Sequence, residues 1–355
     1  MKSLIFGYGI TGQSFDRYLT KQGINFDIYD KKDINQPNAY STLPNKKKLK
    51  SYQTIYLSPG INLEENYSNS TFEDLNFITD MDIFFQEDQS CKIGITGTNG
   101  KSTCCFHLNQ ILEESQLVGN IGNPVLDQIN SGKKYSIIEL SSFQLEKVKE
   151  INLDFGILIN IAPDHLDYHK TFQKYSDAKN RIRSANVAST ESDPRSLYRL
   201  ITGKEFINDH TFENLPHRLE DVTTIGSFMA INDSKATNLS SMKYAIDKMD
   251  QPFCLILCGA PSKEQYEAQE IFGPKKIFIF GAHANEINER IFHKNKALLL
   301  NQSLKQALIS IIKDENFRSW PCILFAPGHP SGKDYKNFEE RGDDFKNIIQ
   351  NLCSN

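Results

Sequence analysis

Ten residues, Gly94-Ile-Thr-Gly-Thr-Asn-Gly-Lys-Ser-Thr103, combine the types needed to hold a polyphosphate. Lys92 to Ile95 read as the end of a buried strand, and the glycines and asparagine after it favour a tight turn. From Ser102 the apolar residues Cys104, Cys105, Leu108, Ile111 and Leu112 follow a helical period. Backbone N–H groups and the positive end of a helix dipole then face an anion. Lys101 can reach the outer phosphates, and the Ser102 hydroxyl can hold Mg²⁺. The longer Walker spacing would put glycine at position 95, which is Ile, so the match is to the shorter form G-x-x-G-K-[ST], Gly97 to Ser102. The chain is expected to bind a nucleoside triphosphate.

Other groups fit around such a ligand. Glu139 ends the strand-like run Tyr135-Ser-Ile-Ile-Glu139, where a carboxylate can share a metal with Ser102 or simply end a strand. In Asp164-His-Leu-Asp-Tyr-His169 the two histidines are four apart, but Leu166 stands where a zinc protease needs glutamate. A Mg²⁺ site with one imidazole, His165, and a structural histidine both remain open. Lys179, alone on a helical stretch from about Thr171, reads by type as a solvated surface charge. Arg218 in Leu215-Pro-His-Arg-Leu219 and Lys235 in Ile231-Asn-Asp-Ser-Lys-Ala-Thr-Asn238 suit phosphate charge, and Asp233 suits a ribose or a base. Each could equally serve a turn or a cap. Gly7-x-Gly9-x-x-Gly12, with Asp27 or Asp30 downstream, fits NAD(P), another diphosphate ligand, or plain packing glycines.

These residues need strand ends to stand on. Strands are expected at 2–6, 25–29 and 54–57, then near 91–95, at 135–140 and at 155–160. A third series lies at 253–258, 276–280, 297–300 and 322–325, with helices near 238–249, 283–292, 303–313 and 335–352. Alternating strands and helices imply α/β architecture with parallel sheets. Residues 188–214 show little periodicity and are read as ending in a domain junction. The expected domains are 1–88, 89–214 and 215–355.

The chain has 355 residues, 39% hydrophobic and 24% charged, as in soluble globular proteins. A net charge of −4 argues against nucleic acid or an anionic membrane as partner. No apolar run is long enough to span a bilayer, and the start enters a glycine turn too early for a signal peptide. Seven cysteines without a C-x-x-C pair read as buried thiols in a reducing cytosol.

Taken together, the motifs resemble the Mur ligases, and within them the branch that adds D-glutamate. The matching pieces run in order through the chain: Gly9–Gly12, Ser58-Pro-Gly-Ile61, Gly94–Thr103, Gly119-Asn-Ile-Gly-Asn-Pro124 and Glu139-Leu-Ser-Ser-Phe-Gln-Leu145. Asp164–Asp167, Ala178-Lys179, Leu215–Arg218, Asn232–Asn238 and Lys336-Asn-Phe-Glu-Glu-Arg-Gly342 follow. The resemblance implies three domains: a Rossmann-like UDP-sugar domain, a central ATPase domain of P-loop type and a Rossmann-like C-terminal domain. It implies a cytoplasmic ligase, expected to be a monomer, that uses ATP to join D-glutamate to UDP-N-acetylmuramoyl-L-alanine through an acyl phosphate.

By the same resemblance, Gly97, Thr98, Asn99, Gly100, Lys101, Ser102 and Thr103 would hold the ATP phosphates. Ser102 and Glu139 would bind the first of two Mg²⁺ ions, and His165 with a carbamylated Lys179 the second. Arg218, Asp233 and Lys235 would contact the nucleotide. Ile10, Thr11, Asp30, Lys31, Gly60 and Asn120 would meet the UDP-sugar, and Thr237, Lys263, Ser331 and Phe338 the D-glutamate. Cys258-Gly-Ala-Pro-Ser-Lys263 departs from the family's Gly-Gly-x-x-Lys. Only residues 180–214 separate Lys179 from Leu215, without the family's His-Asn helix for adenine, so the central domain is expected to be shortened. The rival readings are a related ligase for another amino acid or for folate, a non-catalytic nucleotide or UDP-sugar binder, and an NAD(P) oxidoreductase.

Overall fold

The computed structural model describes residues 2–63, 67, 74–225, 228–261, 269–292, 298–301, 303–315, 319 and 321–353. The chain divides into two compact units, residues 1–212 and 213–355.

The first unit holds two parallel sheets. Strands β1 (Ser3–Phe6), β2 (Phe26–Tyr29), β3 (Ala39–Tyr40), β4 (Ile55–Leu57) and β5 (Phe77–Ile78) form one, in the order β3-β2-β1-β4-β5. Helices α1 (Ile10–Lys21), α2 (Lys46–Leu49) and α3 (Asp80–Glu87) accompany it. The second sheet contains β6 (Cys91–Thr96), β7 (Ser115–Gly119), β8 (Tyr135–Glu139), β9 (Phe155–Leu158) and β10 (Val187–Ser189), ordered β10-β9-β6-β8-β7. Helices α4 (Lys101–Ile111), α5 (Ser142–Lys147), α6 (Leu166–His169), α7 (Phe172–Asn180) and α8 (Pro194–Thr202) connect its strands. With β6 between β8 and β9, the C-terminal ends of three parallel strands open on one edge, where α/β sheets place their ligands.

The two sheets are not separate cores. Ile5, Phe15 and Leu19 of the first pack in one cluster with Val118, Val125, Leu126 and Ile138 of the second. Asp127 also receives Arg17 through Nε at 2.9 Å and Nη2 at 2.6 Å, with the Ser14 hydroxyl at 3.2 Å.

Helix α8 lies in the stretch read as aperiodic. Asp193 caps it by accepting from the Ser196 amide at 2.8 Å, Pro194 opens it and Gly203 closes it, the start and stop chemistry of a helix. Leu197, Tyr198 and Ile201 pack with Cys104, Cys105 and Leu108 of α4. Leu197, Leu200 and Ile201 also recur at helical spacing, so both the period and the caps were signals to read.

The second unit has a six-stranded sheet of β11 (Glu220–Ile225), β12 (Phe228–Asn232), β13 (Phe253–Leu257), β15 (Lys276–Phe280), β17 (Leu298–Asn301) and β18 (Cys322–Phe325). Its order is β11-β12-β18-β13-β15-β17; β14 (Gln269–Glu270) and β16 (Ile291–Phe292) pair apart from it. Helices α9 (Leu239–Asp247), α10 (Ala284–Arg290), α11 (Leu304–Ile312) and α12 (Phe338–Cys353) alternate with the strands. The four strands expected here pair parallel with one another, and β11, which the sequence reading did not include, pairs antiparallel with β12. No helix among the described residues is long and apolar enough to cross a membrane. The cysteines at 91, 104, 105, 254, 258 and 322 are free thiols.

Gly12 marks the tightest contact beneath the first turn. A Cβ there would lie 2.0 Å from the Gly7 carbonyl oxygen, whereas Gly9 faces nothing within 4 Å. Gly12→Ala is expected to cost about 2–3 kcal/mol and lower the melting temperature by roughly 5–10 °C, while Gly9→Ala leaves it unchanged. Equal melting of the two variants in a thermal scan would contradict this assignment.

Candidate active site

The glycine turn after β6 is held from below by the neighbouring strand end. Asn160, just past β9, accepts the amides of Thr98 and Asn99 on its side-chain oxygen at 3.1 and 3.0 Å and donates to the Asn99 carbonyl at 3.0 Å. The Thr98 hydroxyl donates to Ala162 O at 3.1 Å, accepts from its amide at 2.9 Å and sits 2.9 Å from the Tyr175 hydroxyl. The first intrahelical bond of α4 runs from Cys104 N to Gly100 O at 2.9 Å. The amides of Lys101, Ser102 and Thr103 precede it and point out of the helix end. With Thr98 and Asn99 engaged by Asn160, the anion-facing donors shift toward these three. Sequence reasoning missed Asn160, although an asparagine at a central strand end was the available signal.

Lys179 is not on the surface. It is 2% exposed, and its ammonium donates to Gly97 O at 2.8 Å and to the Thr96 hydroxyl at 3.2 Å. Lys101 folds over the same turn, donating to Gly97 O at 2.9 Å and Thr98 O at 3.0 Å. Burial first, and then the Lys101 charge, push the Lys179 amine down to about 7, against the opposite pull of Asp164 and Glu139. The surface reading made from residue type is therefore corrected by three-dimensional packing.

Glu139 stands one strand over, in register with Ile95. Its Oε1 accepts from Asn120 Nδ2 at 2.9 Å. Its Oε2 is buried without a hydrogen-bond partner, a costly arrangement for a carboxylate unless a cation takes the oxygen. Among the described residues no group of three or more His, Cys, Asp and Glu could cage a metal. The arrangement fits an ion with few protein ligands that draws the rest from water and phosphate, as Mg²⁺ does.

The two histidines diverge. His165, with a backbone φ of +52°, caps α6, and its ring lies 5.0 Å from Phe143, half exposed. His169 is buried, bonded through Nε2 to the Ser142 hydroxyl at 2.9 Å and stacked on Phe143. Burial lowers its pKa. Packing claims His169 and leaves His165 at the edge.

At the mouth of the first sheet, Asp30 accepts the Tyr8 amide at 2.6 Å and the Lys32 amide at 2.9 Å. Asp27 is taken by Lys2 at 2.5 Å and the Tyr52 hydroxyl at 2.7 Å, which leaves Asp30 as the acid beside the turn. Ile10 is 74% exposed; Gly9, Lys31, Gly60 and Asn120 are also exposed, and Thr11 is half-buried.

In the second unit three motif segments meet. Buried His217 accepts from Asn232 Nδ2 at 3.0 Å, and the same amide nitrogen lies 3.3 Å from Gly342 O. A Cβ on Gly342 would sit 2.2 Å from His217 Nδ1, so α12 can approach this loop only at glycine. Lys235 lies over the Phe338 ring, 4.1 Å from its centre. Asp233 accepts from the Leu219 amide at 3.3 Å, and burial raises its pKa to about 6. Thr237 and Arg218 are half-buried and Ser331 is buried. Lys263 lies outside the described residues.

Residues 95–193 match the sequence profile of the Mur ligase middle domain. That segment is similar to the Mur ligase middle domain. The likeness extends beyond it. A UDP-N-acetylmuramoylalanine–D-glutamate ligase of Francisella tularensis is 29% identical over 415 aligned positions, covering 99% of this chain and 96% of that protein. The enzyme of the same name from Thermosipho melanesiensis is 26% identical, covering 99% and 98%. Among solved structures, a MurF ligase from Thermotoga maritima in complex with ADP superposes with a TM-score of 0.56 at 12% identity, covering 99% and 95%. A pseudomurein peptide ligase type C from Methanothermus fervidus gives 0.53 at 15%, covering 99% of each chain. The Mur ligase fold thus spans both units. Because 415 aligned positions exceed 355 residues, at least 60 positions of the Francisella enzyme have no counterpart here.

The state of Lys179 is testable through stability. Its amine titrates near 7 when folded and near the ordinary 10.5 when unfolded. Between those values the unfolded chain binds the extra proton, so the contribution of Lys179 to stability grows as pH rises and is lost as pH falls toward 7. In CO₂-free buffer, the melting temperature of Lys179→Met relative to the wild type is expected to be highest at about pH 6 and to decline toward about pH 10. A difference independent of pH would mean that the amine stays charged.

Proposed function

We propose that the chain is an ATP-dependent ligase that joins D-glutamate to UDP-N-acetylmuramoyl-L-alanine in cytoplasmic peptidoglycan precursor synthesis, acting as a monomer. One observation carries the reading. The whole-length match to D-glutamate ligases coincides with a glycine turn on which two lysines converge beside an unpartnered buried carboxylate oxygen.

The substrate carboxylate attacks the γ-phosphorus of ATP, giving an acyl phosphate and ADP. The amine of D-glutamate then attacks the acyl carbon, loses a proton, and phosphate departs. Such transfer rests on positioning and on balancing charge. Gly97 to Thr103 hold the triphosphate, chiefly through the amides of Lys101, Ser102 and Thr103 and the Lys101 ammonium. Ser102 and Glu139 would hold one Mg²⁺ ion and His165 and Lys179 the other, and these ions would neutralise charge on the phosphoryl oxygens. With its pKa lowered to about 7, a substantial fraction of the Lys179 amine is unprotonated near neutral pH, so its nitrogen can attack CO₂ and release a proton, leaving a carbamate anion.

Ile10, Thr11, Asp30, Lys31, Gly60 and Asn120 receive the UDP-sugar. Arg218, Asp233 and Lys235 serve the nucleotide, and Thr237, Lys263, Ser331 and Phe338 the D-glutamate. The missing 60 positions favour a second reading, a non-catalytic binder of nucleotide or UDP-sugar. Phosphate release separates the two: ATP with both co-substrates is expected to give turnover that neither co-substrate alone supports, and equal rates would leave the binder. Lys179→Ala is expected to lose at least about a hundredfold in kcat, with partial rescue by short-chain carboxylates. Unchanged turnover would exclude the carbamate role.

A further inference from the structure

Arg341 is the largest side chain in the described structure with no exposed surface. It leaves the first turns of α12 and reaches two distant loops. Nε donates to the Ser234 hydroxyl at 3.0 Å, Nη2 to Ser234 O at 2.7 Å and Nη1 to His329 O at 3.0 Å. The Ser234 hydroxyl in turn donates to Phe338 O at 2.9 Å. A Cβ on Gly259 would meet Nη1 at 3.1 Å, so a third loop closes over the guanidinium. These three acceptors are neutral oxygens, and the Cys258, Tyr335 and Asp334 side chains also interact with the guanidinium. Burying a guanidinium is expensive unless its donors are satisfied.

What the arrangement secures is a register between loops. Ser234 lies between Asp233 and Lys235 and three residues before Thr237. His329 lies two residues before Ser331, and Phe338 belongs to the helix that carries Arg341. Resting on the ligase reading above, we propose that Arg341 is the positioning residue of the amino-acid pocket. Its planar fork sets Thr237, Ser331 and Phe338 in one geometry. Its donors are spent on the loops, so it acts on the ligand through them.

Steady-state kinetics of the full chain test this, with each of the three substrates varied in turn. Ser234→Ala removes one acceptor and leaves the helix in place, so it avoids the folding risk of changing Arg341; melting curves verify that it folds. Loss of a bond to a charged donor is expected to raise the D-glutamate KM about tenfold, with the KM values for ATP and the UDP-sugar peptide within about twofold. Arg341→Lys keeps the charge but not the fork and is expected to raise the D-glutamate KM further. A folded Ser234→Ala with unchanged D-glutamate KM, or one in which all three KM values rise together, would overturn the proposal while the ligase reading stands. No glutamate-dependent turnover in the wild type would overturn both.

Discussion

A single carbonyl oxygen, that of Gly97, receives two ammonium groups, one from the helix that follows the turn and one from a helix eighty residues later. Bringing two like charges to one acceptor away from water is unfavourable. The structure tolerates it because the Lys179 amine gives up much of its proton affinity. A lysine that would be fully charged on the surface becomes a weakly basic amine beside the turn. The position of α7, which carries it, therefore matters as much as the turn itself. Tyr175, one helical turn earlier, fastens α7 to Thr98.

The strand ends that carry these groups are held in place by the core behind them. The first two sheets share one apolar cluster and a two-pronged Arg17–Asp127 pairing. The Asp30 turn and the Gly97 turn thus belong to one compact unit. In the second unit Asn232, Arg341 and Gly342 tie the loops at 217, 234 and 329 to the start of α12, with Glu220 accepting from both Asn232 Nδ2 and the His217 amide. Three motifs that are far apart in the chain are one hydrogen-bonded assembly. That gives a physical reason for their joint presence, since each supplies the partner that another would otherwise lack when buried.

Local signals were enough for much of this. Strand-turn-helix at 91–111, the alternation of strands and helices after 238, and the acid at 139 each follow from residue type and period, which depend on a few neighbours along the chain. The α/β class and the nucleotide turn were legible for that reason. Helix α8 announced itself by its caps and by a short apolar period, and β11 and β12 form a hairpin whose edge direction no parallel pattern implies.

The fate of Lys179, the separation of His165 from His169, the buttress from Asn160 and the burial of Arg341 were decided by tertiary structure alone. A pKa depends on how many waters and charges surround a group, and a hydrogen bond depends on which loops meet. Neither quantity is a property of a residue with its sequence neighbours. The chain by itself determined which chemical groups are present and on which kinds of element they sit; packing decided which of them are dry, which face one another, and therefore which can do chemistry.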